Sequence, residues 1–175
     1  MEAEREVLAL QPVADDPEVG RWLSAMEDAR RDTLKELDGV PDEAVDWRPD
    51  GAHNTIGTLL YHIATVEAGW LLIDILGPEG EPWMPRAREL LPVDDRDVDG
   101  RLMVVEGESL QQHLDRLAAV RELFLELMRP LTNEEFHRIR VRDEYDVAAD
   151  WTVHHLLQHE AEHRAQIAAL REAYR

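Results

Sequence analysis

Asp150-Trp151-Thr152-Val153-His154-His155-Leu156-Leu157-Gln158-His159-Glu160-Ala161-Glu162-His163-Arg164-Ala165-Gln166-Ile167 is the stretch whose reading decides the fold. On a helix at ~100° per residue, His159 and His163 stand one turn apart on one face. Leu156, Gln166, Ile167 and Leu170 lie within about 80° of His159 on the same wheel. Two imidazoles therefore occupy the stripe that should face a core, where polar groups are costly without partners. Imidazoles at i and i+4 can converge on one ion at ~2.0–2.1 Å, so a divalent metal is one such partner. Carboxylates or carbonyls are the other, and spacing alone leaves the two readings level.

His159-Glu160-Ala161-Glu162-His163 also matches the short zinc-protease pattern, in which the Glu between the histidines acts as base. Only twelve residues follow His163. They contain no histidine and no longer metalloprotease signature. The chain also lacks the strands against which a protease aligns a peptide. The protease reading fails on that context.

Working outward from this stretch, the pattern before it predicts three more long helices. Asp16-Pro17-Glu18 is a helix start, with a capping oxygen, proline at the first helical position and an acid in the first turn. Val19, Trp22, Leu23, Met26, Leu34 and Leu37 follow at three- and four-residue spacings, and Gly39 is the expected stop. Asn54 is the expected cap of a second helix with Leu59, Ile63, Val66, Trp70 and Ile73 inward, ending at Gly77-Pro78. Gly57 and Gly69 mark close backbone approach or room for a ligand. Ser109 with Gln112 forms a capping box for a third helix carrying Leu110, Leu114, Leu117, Phe124, Leu125 and Met128 inward, stopped by Pro130. Thr132 to Glu135 reads as a capped turn, and 137–142 alternates at period two, as a small strand or hairpin would. Asp150 or Thr152 is the expected cap of the last helix.

Between the second and third helices, residues 77–108 hold four of the nine prolines and four of the nine glycines. So long a connection implies a crossover between distant helix ends, with a lid role and a short extended piece over 101–105. The expected fold is thus all-α: a four-helix bundle over residues 16–175, with one long crossover and an arm over 1–15. Such bundles build metal sites from side chains on facing helices.

Composition narrows the function. Thirty-eight acidic against nineteen basic residues give a net charge of −19, a poor match to a phosphate backbone. Nucleic acid and anionic membrane are not expected partners. The absence of cysteine excludes disulfides, thiolate-held zinc and a cysteine nucleophile. Any metal must be held by His, Asp or Glu, and any thiol must come from outside. The acidic start Met1-Glu2-Ala3-Glu4-Arg5 does not resemble a signal peptide. The most apolar run, Leu59 to Leu76, is broken by His62, Glu67 and Asp74 and does not read as a membrane span. The cytoplasm is the expected location.

A catalytic metal needs a third protein ligand and an open position. His62 is the best donor, about 60° from Leu59 and 40° from Val66 at the edge of a buried stripe. His155, about 40° from His159 on the other side, is a candidate fourth ligand and more ordinarily a pocket wall. His154 points away, His53 sits in a loop, His113 reads as a satisfied core histidine, and His137 has no evident partner. Glu160 is a candidate base or a partner behind the ligands, with a solvated surface glutamate as the equal alternative.

Three motifs carry a family likeness: Trp47-Arg48-Pro49 after the first helix; Ile56-Gly57-Thr58-Leu59-Leu60-Tyr61-His62-Ile63 followed by Glu67 and Trp70; and His159-Glu160-Ala161-Glu162-His163-Arg164-Ala165-Gln166-Ile167. In this order and spacing the chain resembles the DinB-like (YfiT-related) metalloenzyme superfamily of four-helix bundles. The likeness spans nearly the whole chain apart from the arm and 77–108. Ala165 stands where relatives often have glycine. The resemblance implies that His62, His159 and His163 are the metal triad, holding zinc, or nickel, manganese or iron. Characterised relatives include a mycothiol-dependent isomerase and bacillithiol S-transferases. The implied activity is therefore metal-dependent S-transfer from a low-molecular-weight thiol such as mycothiol or bacillithiol, or metal-dependent hydrolysis, on a small-molecule substrate. Trp47, Arg48 and residues 77–108 are expected to shape the substrate mouth, with Arg48 binding a carboxylate or forming a surface ion pair. Relatives are often homodimers. The alternative from another class is a non-catalytic metal-binding stress protein or dimeric interaction module.

Overall fold

Asp16 caps the first helix as its sequence predicts: its carboxylate accepts from the Glu18 and Val19 N–H groups, and α1 runs Pro17–Glu36. The computed structural model describes residues 8–175. The first seven residues of the expected arm lie outside that range. Over 8–15 the chain has no helix or strand and folds back over α1, where Val13 N–H donates to Gly20 O at 3.3 Å. Gly20 is needed there, because a Cβ would lie 2.9 Å from Pro12, Val13 and Ala14.

After a short helix α2 (Asp42–Val45), α3 (Ile56–Gly69) begins. Its cap is Thr55 rather than Asn54: the Thr55 hydroxyl accepts from Thr58 N–H. Every residue from Ile56 to Ala64 is buried, so α3 is enclosed on all sides instead of showing one apolar face. Past Gly69 the helix widens into a π-helical segment, Trp70–Leu76. That change of pitch turns Leu71, Leu72 and Ile75 inward and leaves Ile73 57% exposed, against the expected pattern.

The expected crossover is half helical. A 3₁₀ segment (Gly77–Trp83) leads into α4 (Met84–Leu90), and only 91–108 is irregular, with an isolated bridge between Arg96 and Leu102 as its extended element. The run Ile56–Leu90 contains a window apolar and long enough to cross a membrane, but most of that window is buried inside the protein.

α5 (Leu110–Met128) starts at the Ser109–Gln112 capping box, and α6 (Asn133–His137) at a second box formed by Thr132 and Glu135. β1 (Arg140–Val141) and β2 (Asp146–Val147) pair antiparallel. The hairpin expected before the last helix is thus present, and in it Arg140 is buried while Ile139 and Val141 are exposed. Arg140 is accommodated because its guanidinium donates to Arg138 O and Glu135 O. α7 (Ala149–Tyr174) closes the chain. Its N-cap is Ala148, with no side-chain cap, and Asp150 lies in the first turn.

The four expected long helices are α1, α3, α5 and α7, and the class is all-helical, with three shorter α-helices and one hairpin added among the described residues. α1 packs on α7, and α3 packs on both α5 and α7. Each long helix gives one residue to a buried charged layer: Arg30, Glu67, Arg121 and Glu160. Apolar residues fill the space on either side. Leu23, Met26, Leu72, Phe124 and Val153 lie toward one end, and Leu37, Leu59, Ile63, Leu117 and Ile167 toward the other. α1 and α5 leave an open groove of about 350 Å³ over that layer.

Candidate metal centre

α3 carries His62 at its middle, where enclosure by neighbouring helices leaves it 4% exposed. α7 supplies His159 and His163, half-buried and one turn apart. His62 Nε2 lies 3.1 Å from His159 Nε2, and His159 Nε2 lies 3.1 Å from His163 Nε2. The three ligand atoms fall within 4.8 Å of one another. A tetrahedral ion with bonds of ~2.0–2.1 Å has ligand atoms ~3.4 Å apart, so these imidazoles fit a divalent metal with little adjustment.

Behind His62 stands Asp95. Its Oδ1 accepts from His62 Nδ1 at 2.5 Å, which leaves the Nε2 lone pair facing the other two rings. Asp95 comes from the irregular part of the crossover, and α3 itself positions it. The Tyr61 hydroxyl donates to Val93 O and accepts from Val93 N–H, both at 2.8 Å. Met103 N–H then donates to Asp95 O at 2.9 Å. His53 Nε2, 2.8 Å from Leu102 O, holds the return limb. The pattern of the sequence did not single out Asp95, because 92–99 offers several acids and no period to choose among them. The only signal is that a long connection returns beside α3.

The electrostatics suit a metal. Burial, then the neighbouring His163 and His62 rings, push the His159 imidazole down to about 3. Burial and His62 lower His163 as well. Both rings are neutral at pH 7, the form that binds metal. His163 is further oriented by Gln166, whose Oε1 lies 3.3 Å from His163 Nδ1.

Glu160 lies beside His159 in sequence but is 3% exposed and engaged elsewhere. Arg30 Nε donates to its Oε1 at 2.7 Å and Arg121 Nη2 to its Oε2 at 3.2 Å. It is not the solvated surface glutamate that one reading allowed. The same arginines bind Glu67, with Arg121 Nε at 2.7 Å and Arg30 Nη2 at 2.9 Å. Burial raises the Glu67 pKa, but Arg121 and Arg30 outweigh it, so the carboxyl sits below its ordinary value.

Trp47 packs edge-on against Tyr174, at a centroid distance of 5.4 Å. Tyr174 lies eleven residues past His163, roughly 16 Å along α7. Arg48 pairs with Glu106 at 2.9 Å on the surface. The histidines gather without either of them. His155 forms a wall beside the triad, stacked on Trp151 at 5.2 Å and 6.1 Å from His159. His154 is exposed against Trp22. His137 has two partners unseen in the sequence, Asp150 and Glu18, each at 3.0 Å. His113 is buried and only half satisfied. Its Nδ1 meets Arg116 at 3.2 Å, while its Nε2, 3.5 Å from Glu108 Oε2, has no hydrogen-bond partner among the described residues. Gly57 explains the close approach, since a Cβ there would lie 2.9 Å from His113 Nε2.

Helices and site together define a class: an all-helical protein whose interior brings three histidine nitrogens to one point suited to a divalent metal. The model of the DinB superfamily matches residues 25–167, and the chain belongs to that superfamily. No curated protein matches it alongside.

Proposed function

We propose that this chain is a divalent-metal-dependent enzyme acting on a small molecule, with Zn²⁺, or Ni²⁺, Mn²⁺ or Fe²⁺, held by His62, His159 and His163 in the four-helix bundle of its superfamily. The observation that carries this reading is the convergence of three Nε2 atoms with Asp95 behind one of them. A divalent ion on three neutral imidazoles supplies Lewis acidity and lowers the pKa of a water or thiol beside it.

The chain's own residues prepare that chemistry. Asp95 fixes the His62 tautomer, burial keeps His159 unprotonated, and Gln166 aims His163. Glu160 holds α7 in register through Arg30 and Arg121, which leaves Asp95 as the carboxylate in contact with a ligand histidine. The chain has no cysteine, which favours S-transfer from a low-molecular-weight thiol over a protein thiol. Hydrolysis by water is the competing reaction at the same site. A cytoplasmic location agrees with a reduced thiol donor.

The test is metal analysis of the purified protein beside His62→Ala, followed by turnover assays of metal-loaded wild type and His159→Ala. Electrophiles would be offered with mycothiol, with bacillithiol, and with water alone. Loss of metal in His62→Ala and thiol-dependent turnover lost in His159→Ala are expected. Equal metal content in both proteins would overturn the three-histidine site, and no turnover with any metal would leave a non-catalytic metal-binding protein.

A further inference from the structure

Two turns along α7 from His159 lies a pocket of about 430 Å³ that the metal chemistry does not use. Trp70, Tyr145 and Trp151 form its aromatic wall. The Trp70 centroid is 5.5 Å from Trp151 and 5.9 Å from Tyr145. His155 joins this wall to the triad, stacked parallel on Trp151, 5.0 Å from Trp70 and 6.1 Å from His159.

The wall is held open to solvent. Trp151 is 50% and Tyr145 44% exposed, a cost in apolar surface that a purely structural cluster would avoid by burial. Trp70 opens the π-helical turn, a distortion found frequently at functional sites. Arg142 donates to Asp74 O through Nε and Nη2, tying the hairpin to that turn. The Tyr145 hydroxyl donates to Asp74 Oδ1 at 2.6 Å, which seats its ring over Trp70.

The charged groups at the pocket are mainly acidic, with the Arg142 guanidinium turned to Asp74 O. Asp146 and Asp150 line it, Asp74 stands at the tyrosine hydroxyl, and among the described residues no lysine or arginine lines it. His137, the one basic group among the lining residues, is held between Asp150 and Glu18. Aromatic faces attract cations through their quadrupole, and carboxylates at the rim add to that attraction. A net charge of −19 steers cations toward the molecule as a whole.

We infer that this pocket binds the organic ammonium group of a ligand, an amine or quaternary nitrogen on an apolar body. Resting on the metal-site reading above, the same ligand then extends along His155 to place its reacting end at the histidine triad, roughly 12 Å away along α7. The subsite thus selects substrates that are cationic at one end.

The probe is benzyltrimethylammonium, compared with benzyl alcohol and benzoate, titrated into the full chain both chelator-stripped and zinc-loaded. Readouts are calorimetry and the indole N–H resonances of the five tryptophans. The cation should bind at least about tenfold tighter than either analogue, move the Trp70 and Trp151 signals, and do so without metal. Trp151→Ala should weaken it about tenfold. Asp146→Asn, an exposed change that preserves shape, should weaken it severalfold with the helical circular dichroism unchanged. Equal binding of benzyl alcohol or benzoate, shifts confined to other tryptophans, or full affinity in both variants would overturn the inference. Because the stripped protein is measured directly, that failure is separate from failure of the metal reading.

Discussion

His62 Nδ1 lies 2.5 Å from Asp95 Oδ1, so a residue of an enclosed helix and a residue of an irregular crossover meet directly behind the candidate metal centre. A carboxylate in that position orients the ring and raises its basicity as a ligand. Asp95→Asn keeps the shape and loses the charge. Its zinc affinity, measured by chelator competition, should fall about 10–100-fold with the helical signal retained. Unchanged affinity would make the contact incidental to metal binding.

Glu160→Gln tests the buried layer. Removing one anion leaves Arg30 and Arg121 undercompensated in an interior where both are nearly inaccessible. Breaking a buried pair in this way costs about 3–5 kcal/mol, read as a lower denaturant midpoint. Metal stoichiometry should stay at the wild-type value. A variant with normal stability and lost turnover would instead assign Glu160 to the chemistry.

His137 gives a pH signature. Hydrogen bonds to Asp150, then Glu18, raise its pKa above 6.5. The protonated ring is therefore favoured in the folded state, and its contribution is fully present below pH 6.5. That contribution is lost as pH rises through the elevated folded value. Proton NMR of the His137 ring should show a midpoint above 6.5 that drops in Asp150→Asn. A wild-type midpoint at or below 6.5 would contradict the bridge.

Gly80 and Gly69 should respond oppositely to alanine. A Cβ at Gly80 would sit 2.4 Å from Leu72 O, a backbone atom that cannot swing aside. Overpacking of this kind costs about 1–3 kcal/mol. At Gly69 nothing lies within 4 Å, and the backbone is helical. Gly69→Ala should stabilise by about 0.4–1 kcal/mol through the unfolded chain. Thermal melts of the two variants decide it, and equal shifts would sink the contrast.

Local chemistry made much of the fold legible. Asp16-Pro17 and the Ser109–Gln112 box each begin a helix where the sequence places it, and the capped turn read at Thr132–Glu135 opens the short α6, because a cap is a contact within four residues. Periodicity was less secure where neighbours enclosed the helix or the pitch changed. Ile73 reads as inward at 3.6 residues per turn and emerges outward in the wider π-helical turn. α4 was hidden by the prolines in and around it, of which Pro85 serves as a helix start rather than a break.

Within the site, His159 and His163 were visible because one helical turn separates them, and His62 because its own wheel placed it beside a buried stripe. The sequence by itself thus determined the all-helical class, the family likeness and the three histidines that a metal requires. Only the tertiary structure decided which carboxylate serves them. Glu160, adjacent in sequence, is drawn to Arg30 and Arg121 across the interior, while Asp95, thirty-three residues from His62, arrives through the Tyr61–Val93 clamp. The reason is physical. A turn of helix dictates only contacts three or four residues away, whereas the partner of a buried charge is set by which helices pack together.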